Sequence, residues 1–218
     1  MKSTSSQLVQ IAVDAVHIEG LLEMPAEPAG LVLFAHGSGS SRHSPRNNVV
    51  ARVLRDQGMG TLLLDLLTLA EDLDYQTRFD IPLLTHRLLV ATRWARQHPP
   101  SAMLSLGYFG ASTGAAAALQ AAAALGPDLR ALVSRGGRAD LAGTHARSQV
   151  RCPTLLLVGG RDDDVIEFNR AAYARLDCSK QLSSIPGATL LFDEPGMLQQ
   201  VANQAAAWFG QHLKGAVT

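Results

Sequence analysis

The chain has 218 residues, of which 47% are hydrophobic and 17% are charged, and its 19 basic residues balance 19 acidic ones. This composition supports a packed core and excludes wholesale disorder, while the neutral charge provides no broad field that attracts nucleic acid or an anionic membrane. The first residues lack the apolar region of a secretory signal, and no segment reaches the roughly 20 apolar residues that cross a bilayer. We therefore expect one cytoplasmic domain that covers residues 1–218.

The first 29 residues are predicted to form an antiparallel hairpin at the edge of a sheet. Two partly alternating apolar runs, residues 8–11 and 16–24, lie on either side of Asp14. Alternation of apolar and polar side chains is typical of strands that bury one face, and the polar residue between the runs marks a turn. We expect residues 1–29 to belong to the same domain as the rest of the chain.

From residue 31 onwards, apolar runs alternate with helical stretches. Short continuous apolar runs, each followed by a polar loop and then a helix, are typical of parallel strands that are covered on both faces. The predicted strands span residues 31–35, 61–64, 103–109, 131–134, 154–158 and 181–185, and the predicted helices span 45–57, 80–97, 112–125, 165–176 and 194–213. Residues 66–78 are predicted to form a surface loop. The expected fold class is α/β, with a doubly wound, mainly parallel sheet flanked by helices.

The segment 110–114 has the sequence GASTG and lies between an apolar strand and an Ala-rich helix. A G-x-S-x-G nucleophile elbow requires this strand-turn-helix context, because the sharp turn presents the serine hydroxyl outward and small residues let strand and helix approach. Ser112 is therefore the predicted nucleophile, and the N–H of Thr113 at the helix N-terminus is a predicted oxyanion donor. The alternative is that Ser112 only caps the helix.

A second oxyanion donor is predicted in the loop after the first parallel strand. Residues 36–39 have the sequence HGSG, and the glycines allow a close approach that brings the N–H of Ser38 toward the same site. His36 is interpreted as structural. The same glycines match part of the dinucleotide-binding pattern G-x-G-x-x-G, but Arg42 occupies the third glycine position, so we predict no nicotinamide or flavin cofactor. The two cysteines of the chain are too few for a zinc site, and no metal is predicted.

The predicted triad acid lies after another buried strand. Residues 159–162 have the sequence GGRD, and Asp163 and Asp164 follow at the start of a helix. In hydrolases whose catalytic residues follow the order serine, acid, histidine, the acid belongs in this loop, and Asp162 is the preferred candidate. Aspartates in a first helical turn also act as caps without any catalytic role, and Asp163 or Asp164 can serve that purpose.

From about residue 31 to residue 213, the sequence resembles the dienelactone-hydrolase-like group of the alpha/beta-hydrolases. The segments that carry the resemblance are 34–47 (FAHGSGSSRHSPRN), 107–114 (GYFGASTG), 134–138 (SRGGR), 159–162 (GGRD), 186–189 (PGAT) and 192–196 (FDEPG). The resemblance implies an alpha/beta-hydrolase fold without a large cap domain. It also implies a serine hydrolase for small esters or lactones, with Ser112 as nucleophile and Asp162 as the acid that orients a histidine.

One residue that the resemblance implies is missing. The proteins that this chain resembles carry the catalytic histidine directly after the position of Thr189, where this sequence has Leu190, and leucine can neither accept nor relay a proton. His43 is the preferred substitute base and His145 a second candidate, because both are predicted in loops at the carboxyl ends of strands, where such sheets bind ligands. His212, inside the last predicted helix, is a poor substitute.

Arg42, Arg135 and Arg138 are candidates for recognising a carboxylate or phosphate of the substrate, with solvated surface arginines as the alternative. Two functions stay open. The first is a serine hydrolase of small esters or lactones whose proton relay is impaired or altered by Leu190, and the second is an inactive protein of the same fold that binds a small ligand or a partner. The expected partner is a small-molecule ester or lactone, not nucleic acid or a membrane. The oligomeric state is open, and a homodimer is one option.

Overall fold

The computed structural model describes residues 4–214, which contain one eight-stranded sheet. The strands are β1 Thr4–Val13, β2 Val16–Pro25, β3 Leu31–Ala35, β4 Gly60–Leu64, β5 Leu106–Ala111, β6 Leu129–Arg135, β7 Thr154–Gly159 and β8 Lys180–Ile185. Their order across the sheet is β1-β2-β4-β3-β5-β6-β7-β8, in which β1 and β2 are antiparallel to their neighbours and β3 to β8 are parallel. The predicted mainly parallel sheet is confirmed.

The first two strands form an antiparallel hairpin at one edge of the sheet. Val13 pairs with Val16 across a turn in which Asp14 adopts a positive φ of 51°. Short polar side chains tolerate this left-handed conformation better than bulky ones, which suits an aspartate to the turn. Of the hairpin predicted for residues 1–29, residues 1–3 lie outside the part of the chain that the structure describes.

Seven α-helices accompany the sheet in residues 4–214. They are α1 Pro45–Asp56, α2 Leu69–Asp72, α3 Ile81–Gln97, α4 Thr113–Leu125, α5 Thr144–Gln149, α6 Asp163–Arg175 and α7 Met197–Leu213. Helices α1 and α7 cover one face of the sheet, and α3, α4 and α6 contribute to a second apolar cluster on the other face. The central strands are buried on both sides, which explains their continuous apolar sequences. None of these helices combines the length and hydrophobicity needed to cross a membrane.

The order of the strands fixes where a ligand can bind. After β3 the chain adds β4 on one side, and it then returns to add β5 on the other side of β3. At such a switch point the loops after two neighbouring strands diverge and leave a crevice at their carboxyl ends, where open α/β sheets bind ligands. Here the loops in question are those after Ala35 and Ala111, which lead into the HGSG and GASTG segments.

Several expected elements differ from the structure, three of them near the candidate site or at a strand or helix start. Strand β5 begins at Leu106 rather than at residue 103, because residues 99–103 form a turn in which Met103 is 94% exposed. Helix α7 begins at Met197 rather than at residue 194. The predicted loop 66–78 contains helix α2, which a capping box stabilises because the Thr68 hydroxyl accepts the Glu71 N–H and the Glu71 carboxylate accepts the Thr68 N–H.

Candidate active site

Ser112 lies at the turn between β5 and α4, with φ +50° and ψ −121°. A positive φ is uncommon for a residue other than glycine and is unfavourable, so it persists only where the surrounding structure holds it. The Ser112 side chain makes no capping hydrogen bond to α4. Helix capping, which the sequence left open as its only role, is therefore excluded.

Two backbone hydrogen bonds hold this strained turn from the segment that follows β6. The Ser112 N–H donates to the Arg135 carbonyl oxygen at 3.3 Å, and the Arg138 N–H donates to the Ser112 carbonyl oxygen at 3.0 Å. Between these two partners the chain turns at Gly136, whose φ of +51° is accessible to glycine without steric cost. The SRGGR segment therefore supports the conformation of Ser112.

The loop after β3 lies directly against Ser112. A Cβ atom at Gly37 would lie 2.9 Å from the Ser112 Cβ and 3.6 Å from the Ser112 Oγ. A Cβ atom at Gly114 would overlap the carbonyl oxygens of Ala35 and His36. Because both positions exclude a side chain, the end of β3 and the start of α4 can approach each other backbone to backbone.

His36 fixes the loop after β3 by two hydrogen bonds of its imidazole. Its Nε2 accepts the Leu66 N–H at 2.9 Å, which assigns the proton of the neutral ring to Nδ1, and Nδ1 donates to the Gly37 carbonyl oxygen at 2.8 Å. Burial lowers the pKa of His36 against a smaller opposite effect of the bond to Gly37, so the ring is neutral at neutral pH. These contacts agree with the structural role that the sequence analysis gave to His36.

Two backbone N–H groups beside Ser112 have no acceptor within residues 4–214. Thr113 is the first residue of α4, where an N–H has no carbonyl partner inside the helix, and the Ser38 N–H makes no hydrogen bond to the described chain. The helix dipole adds partial positive charge at Thr113. The two N–H groups that the sequence analysis selected are therefore both available to a ligand.

A cavity of about 530 Å³ opens beside Ser112. Its walls are the loop after β3, the N-terminus of α1, the turn after β6 and the loop after β8. The structure brings five of the sequence-predicted residues together in this lining, namely Ser38, His43, Ser112, Arg135 and Leu190. Two arginines, Arg46 and Arg135, contribute to the described lining, and no carboxylate does.

Leu190 occupies the loop after β8 and packs against the turn after β6. A Cβ atom at Gly136 would lie 2.9 Å from the Leu190 Cδ1, and the leucine is 37% exposed. Leu190 therefore presents an apolar surface to the cavity that contains Ser112. At the position where the resemblance predicts a proton acceptor, the chain has none.

His43 is the one histidine of residues 4–214 that lines this cavity, and its side chain is exposed. His145 lies in α5 rather than in a loop, on the exposed surface, and His212 packs edge-on against Trp208 with ring centroids 4.6 Å apart. Neither of these two reaches the cavity. Within the described chain, no three side chains of His, Cys, Asp and Glu are grouped as a metal ion requires.

Asp162 caps helix α6, because its Oδ1 accepts the Val165 N–H at 3.2 Å. The sequence analysis had reserved this capping role for Asp163 or Asp164. The adjacent Arg161 N–H donates to the Ala188 carbonyl oxygen at 3.0 Å, which binds this loop to the one that carries Leu190. Asp162 does not line the Ser112 cavity, and with leucine at position 190 it has no imidazole there to orient.

The arginines near the site fall into two groups. Three of them are paired with carboxylates: Arg42 with Asp65 and Glu19, Arg46 with Asp193, and Arg138 with Asp140. The charges of Arg42 and Arg138 are already matched within the protein, so the recognition of an anionic substrate by these two arginines stays a prediction. Arg135 differs, since it is only 8% exposed and its Nε and Nη1 atoms have no hydrogen-bond partner.

Burial chiefly, and then the nearby Arg46, lower the pKa of Arg135 to about 10, against a weaker opposite effect of Asp193. The Arg135 guanidinium is therefore still protonated at neutral pH. The site contains a buried positive charge beside the serine, the two free N–H groups and the apolar Leu190.

An eight-stranded sheet of this order, with a strained serine at the strand-to-helix turn beside its switch point, makes the protein an alpha/beta-hydrolase. The family follows from a closer likeness. The crystal structure of a dienelactone hydrolase from Anabaena variabilis ATCC 29413 is 50% identical in sequence, with a TM-score of 0.93 over 96% of this chain and 99% of that one. The chain belongs to the dienelactone hydrolase family.

Other comparisons place this family assignment in context. The Est1E protein of Butyrivibrio proteoclasticus shares the fold, with 17% identity and a TM-score of 0.80 over 94% of this chain and 98% of that one. Two Mycobacterium tuberculosis proteins, from strains CDC 1551 / Oshkosh and ATCC 25618 / H37Rv, are 54% identical over 207 residues and are named "Putative phosphoribosyl transferase". The match covers 95% of this chain but only 46% of each relative, so the chain spans about half their length. No family model matches the chain.

Sequence reasoning missed one pair of residues at this site. Arg46, at the start of α1, donates two hydrogen bonds of 2.8 Å to the carboxylate of Asp193, in the loop after β8. The pair connects two walls of the cavity. Because 147 positions separate the two residues, no local pattern in the sequence signals their contact.

Proposed function

We propose that the protein hydrolyses small carboxylic esters or lactones, with Ser112 as the nucleophile. The observation that carries the proposal is the Ser112 backbone, held at a positive φ while its side chain caps nothing and lines a cavity. A serine that begins a helix needs no such strain, whereas a nucleophile elbow does. The 50% identity to a dienelactone hydrolase supports the same class of reaction.

In the proposed reaction, the Ser112 Oγ attacks the carbonyl carbon of the ester, and the N–H groups of Thr113 and Ser38 stabilise the negative charge on the carbonyl oxygen. The tetrahedral intermediate then expels the alcohol and leaves an acyl group on Ser112. A water molecule attacks this acyl-enzyme and releases the acid. In the first step Ser112 loses a proton and the leaving alcohol gains one, and in the second step the water loses a proton and the Ser112 Oγ regains one.

These proton transfers limit the rate of the proposed reaction, because Leu190 cannot accept a proton. Stabilisation of the oxyanion and substrate binding alone retain roughly 10³ to 10⁴ of acceleration over water when triad members are lost. We propose His43 as the substitute base, because its exposed imidazole lines the cavity. Asp162, beside the loop that carries Leu190, is the acid that would orient an imidazole at position 190. The proposal therefore implies a slow esterase.

A second candidate function is the binding of a small ligand without catalysis. Two observations favour it: Leu190 offers no proton acceptor, and Asp162 uses its carboxylate to cap α6. Under this alternative the cavity binds its ligand while Ser112 does not react.

The Mycobacterium tuberculosis relatives bear a transferase name, but that name describes proteins about twice as long as the matched segment. We propose that the segment equivalent to this chain contributes the hydrolase part.

The test is mass spectrometry of the intact protein after incubation with a fluorophosphonate and, separately, with p-nitrophenyl acetate. We expect one adduct per chain that maps to Ser112 and is absent from Ser112→Ala, with the acetyl adduct decaying slowly because Leu190 provides no base for the attacking water. An unmodified wild-type protein would favour the binding alternative. Labelling of His43→Ala should be slower than that of the wild type, and an equal rate would remove His43 from the mechanism.

A further inference from the structure

Arg135 ends β6 with its side chain buried in the wall of the Ser112 cavity. The residue is 8% exposed, it lines the cavity, and its Nε and Nη1 atoms have no hydrogen-bond partner. Transfer of a guanidinium from water to the protein interior is unfavourable unless acceptors or a counter-charge replace its hydration. Within residues 4–214 these two atoms have no acceptor, and the nearby carboxylate of Asp193 only partly offsets the cost of burial.

The carboxylate near Arg135 is already in use. Asp193 accepts hydrogen bonds from both Nε and Nη2 of Arg46. Arg46 also lines the cavity, and no aspartate or glutamate of residues 4–214 does so. The cavity therefore has an excess of positive charge that an anionic ligand would balance.

Other donors surround the same space. The walls include Ser38, Ser40 and Pro45, the first residue of the 12-residue helix α1, and Ser112, which directly precedes the 13-residue helix α4. The N-terminus of a helix carries partial positive charge, which favours anions and phosphate groups in particular. The Thr113 N–H of α4 has no acceptor, whereas α1 contributes mainly its partial charge, because Pro45 has no N–H and Ser44 accepts the Asn47 N–H. The buried guanidinium and the two helix ends thus attract the same kind of ligand independently.

We propose that the cavity binds a phosphate monoester group, with Arg135 as its principal ligand, and that the substrate is an ester or lactone that carries such a phosphate. This inference deepens the proposed function by naming its substrate class. It rests on the proposed function for the reaction at Ser112, whereas the binding of the phosphate does not depend on that reaction.

A phosphate monoester matches the cavity better than a carboxylate does. It carries about −1.5 to −2 charges at pH 7 and three strong acceptor oxygens. A carboxylate carries one charge and two oxygens, which the forked donors of a single guanidinium already satisfy. With a carboxylate bound to Arg135, the Ser40 hydroxyl and the N-terminus of α1 would still lack an anionic partner, while the N-terminus of α4 serves the carbonyl oxygen of the ester.

The test is isothermal titration calorimetry on Ser112→Ala protein, in which no turnover disturbs the heats. The probes are glycerol 1-phosphate, acetate and succinate at one ionic strength. We expect glycerol 1-phosphate to bind at least ten times more tightly than either carboxylate. Equal or tighter binding of the carboxylates, or no binding of glycerol 1-phosphate, would overturn the proposal.

Substitutions then locate the bound phosphate. Arg135→Met, in the same background, should weaken binding of glycerol 1-phosphate at least tenfold, and Arg135→Lys should retain part of the affinity because it keeps the charge and loses the fork. Arg130→Met is the matched control, since Arg130 lies on an exposed position of the same strand. Equal affinity in Arg135→Met and Arg130→Met would contradict the assignment. If Arg135→Met does not fold, Arg135→Lys and the comparison of probes still decide.

The two proposals can fail separately. Phosphate binding through Arg135 together with an unreactive Ser112 would retain the anion site and reject hydrolysis. A Ser112 adduct without binding of glycerol 1-phosphate would retain hydrolysis and reject the phosphate-bearing substrate.

Discussion

Two cavities of nearly equal size lie side by side at the carboxyl ends of the strands. The Ser112 cavity has a volume of about 530 Å³, and its neighbour, beside β2 and the loop after β4, has about 540 Å³. Ser40, Ser41 and His43 line both of them. Volume and position therefore do not separate the two.

Their charges do. The neighbouring cavity is lined by Glu19, Asp65 and Asp72, and each carboxylate has a guanidinium partner: Arg42 binds the first two, and Arg78 binds Asp72 at 3.1 Å. In the Ser112 cavity, the Arg135 side chain and two backbone N–H groups remain without acceptors. Charges matched within the chain stabilise the fold, whereas unmatched groups beside a strained serine are available to a ligand.

Of the substitutions considered, Leu190→His should change the activity of the Ser112 cavity most. An imidazole at position 190 would face the Ser112 cavity and could accept the Ser112 proton, so we expect ester turnover to rise by about 10² or more, the range of general acid–base catalysis. The measurement is the steady-state hydrolysis of p-nitrophenyl acetate. Leu191→His, one residue further along the same loop, is the control for a histidine that is merely added near the cavity. Equal rates in the two variants would mean that a missing base does not limit the reaction.

Gly37→Ala should change the reactivity of Ser112 by a smaller factor. Its Cβ would lie 2.9 Å from the Ser112 Cβ, so the loop must move and carry the Ser38 N–H away from the reacting oxygen. We expect the rate of fluorophosphonate labelling to fall by about tenfold or more, because small misplacements of reacting groups are costly. Gly210→Ala is the matched control, since a Cβ there meets nothing within 4 Å. A labelling rate unaffected by Gly37→Ala would argue against an oxyanion donor in this loop.

Arg42→Met should change stability and leave the reactivity of Ser112 as it is. The substitution leaves Asp65 and Glu19 without their partner, and we expect the free energy of unfolding to fall by about 1–3 kcal/mol. Urea denaturation measures this loss, with Arg130→Met as a surface control, and fluorophosphonate labelling measures the site. A slower labelling reaction in folded Arg42→Met protein would show that the neighbouring cavity takes part in the chemistry.

Much of the fold could be predicted from apolar patterning. The run at residues 31–35 became β3 with the same bounds, because a strand buried on both faces has no polar positions to obscure its ends. The same criterion failed at Met103, where apolar residues precede the strand in an exposed turn. Helix α2 was not predicted, although the spacing of Thr68 and Glu71 is a capping-box signal, because its four residues include no buried one and therefore show no apolar periodicity.

In the candidate site, too, some residues could be predicted from the sequence and others could not. Ser112, Ser38 and Thr113 could be selected because a strained turn and close backbone approaches leave a local signature of small residues. Which arginines are paired with carboxylates could not be predicted, since the partners of Arg42, Glu19 and Asp65, come from other strands and loops. Whether a charge is free depends on partners that only the folded chain brings together.

One of the two hydrogen bonds that hold Ser112 comes from the main chain of Arg135, whose side chain has a separate position in the structure. Arg135 supports the elbow through its carbonyl oxygen and contributes to the lining of the cavity, with its guanidinium largely buried. The first contribution belongs to the main chain and survives any substitution that keeps the backbone path, while the second changes with every side chain. Under the proposed function, position 135 is therefore a place where this scaffold would exchange one ligand preference for another and still retain the backbone geometry of Ser112.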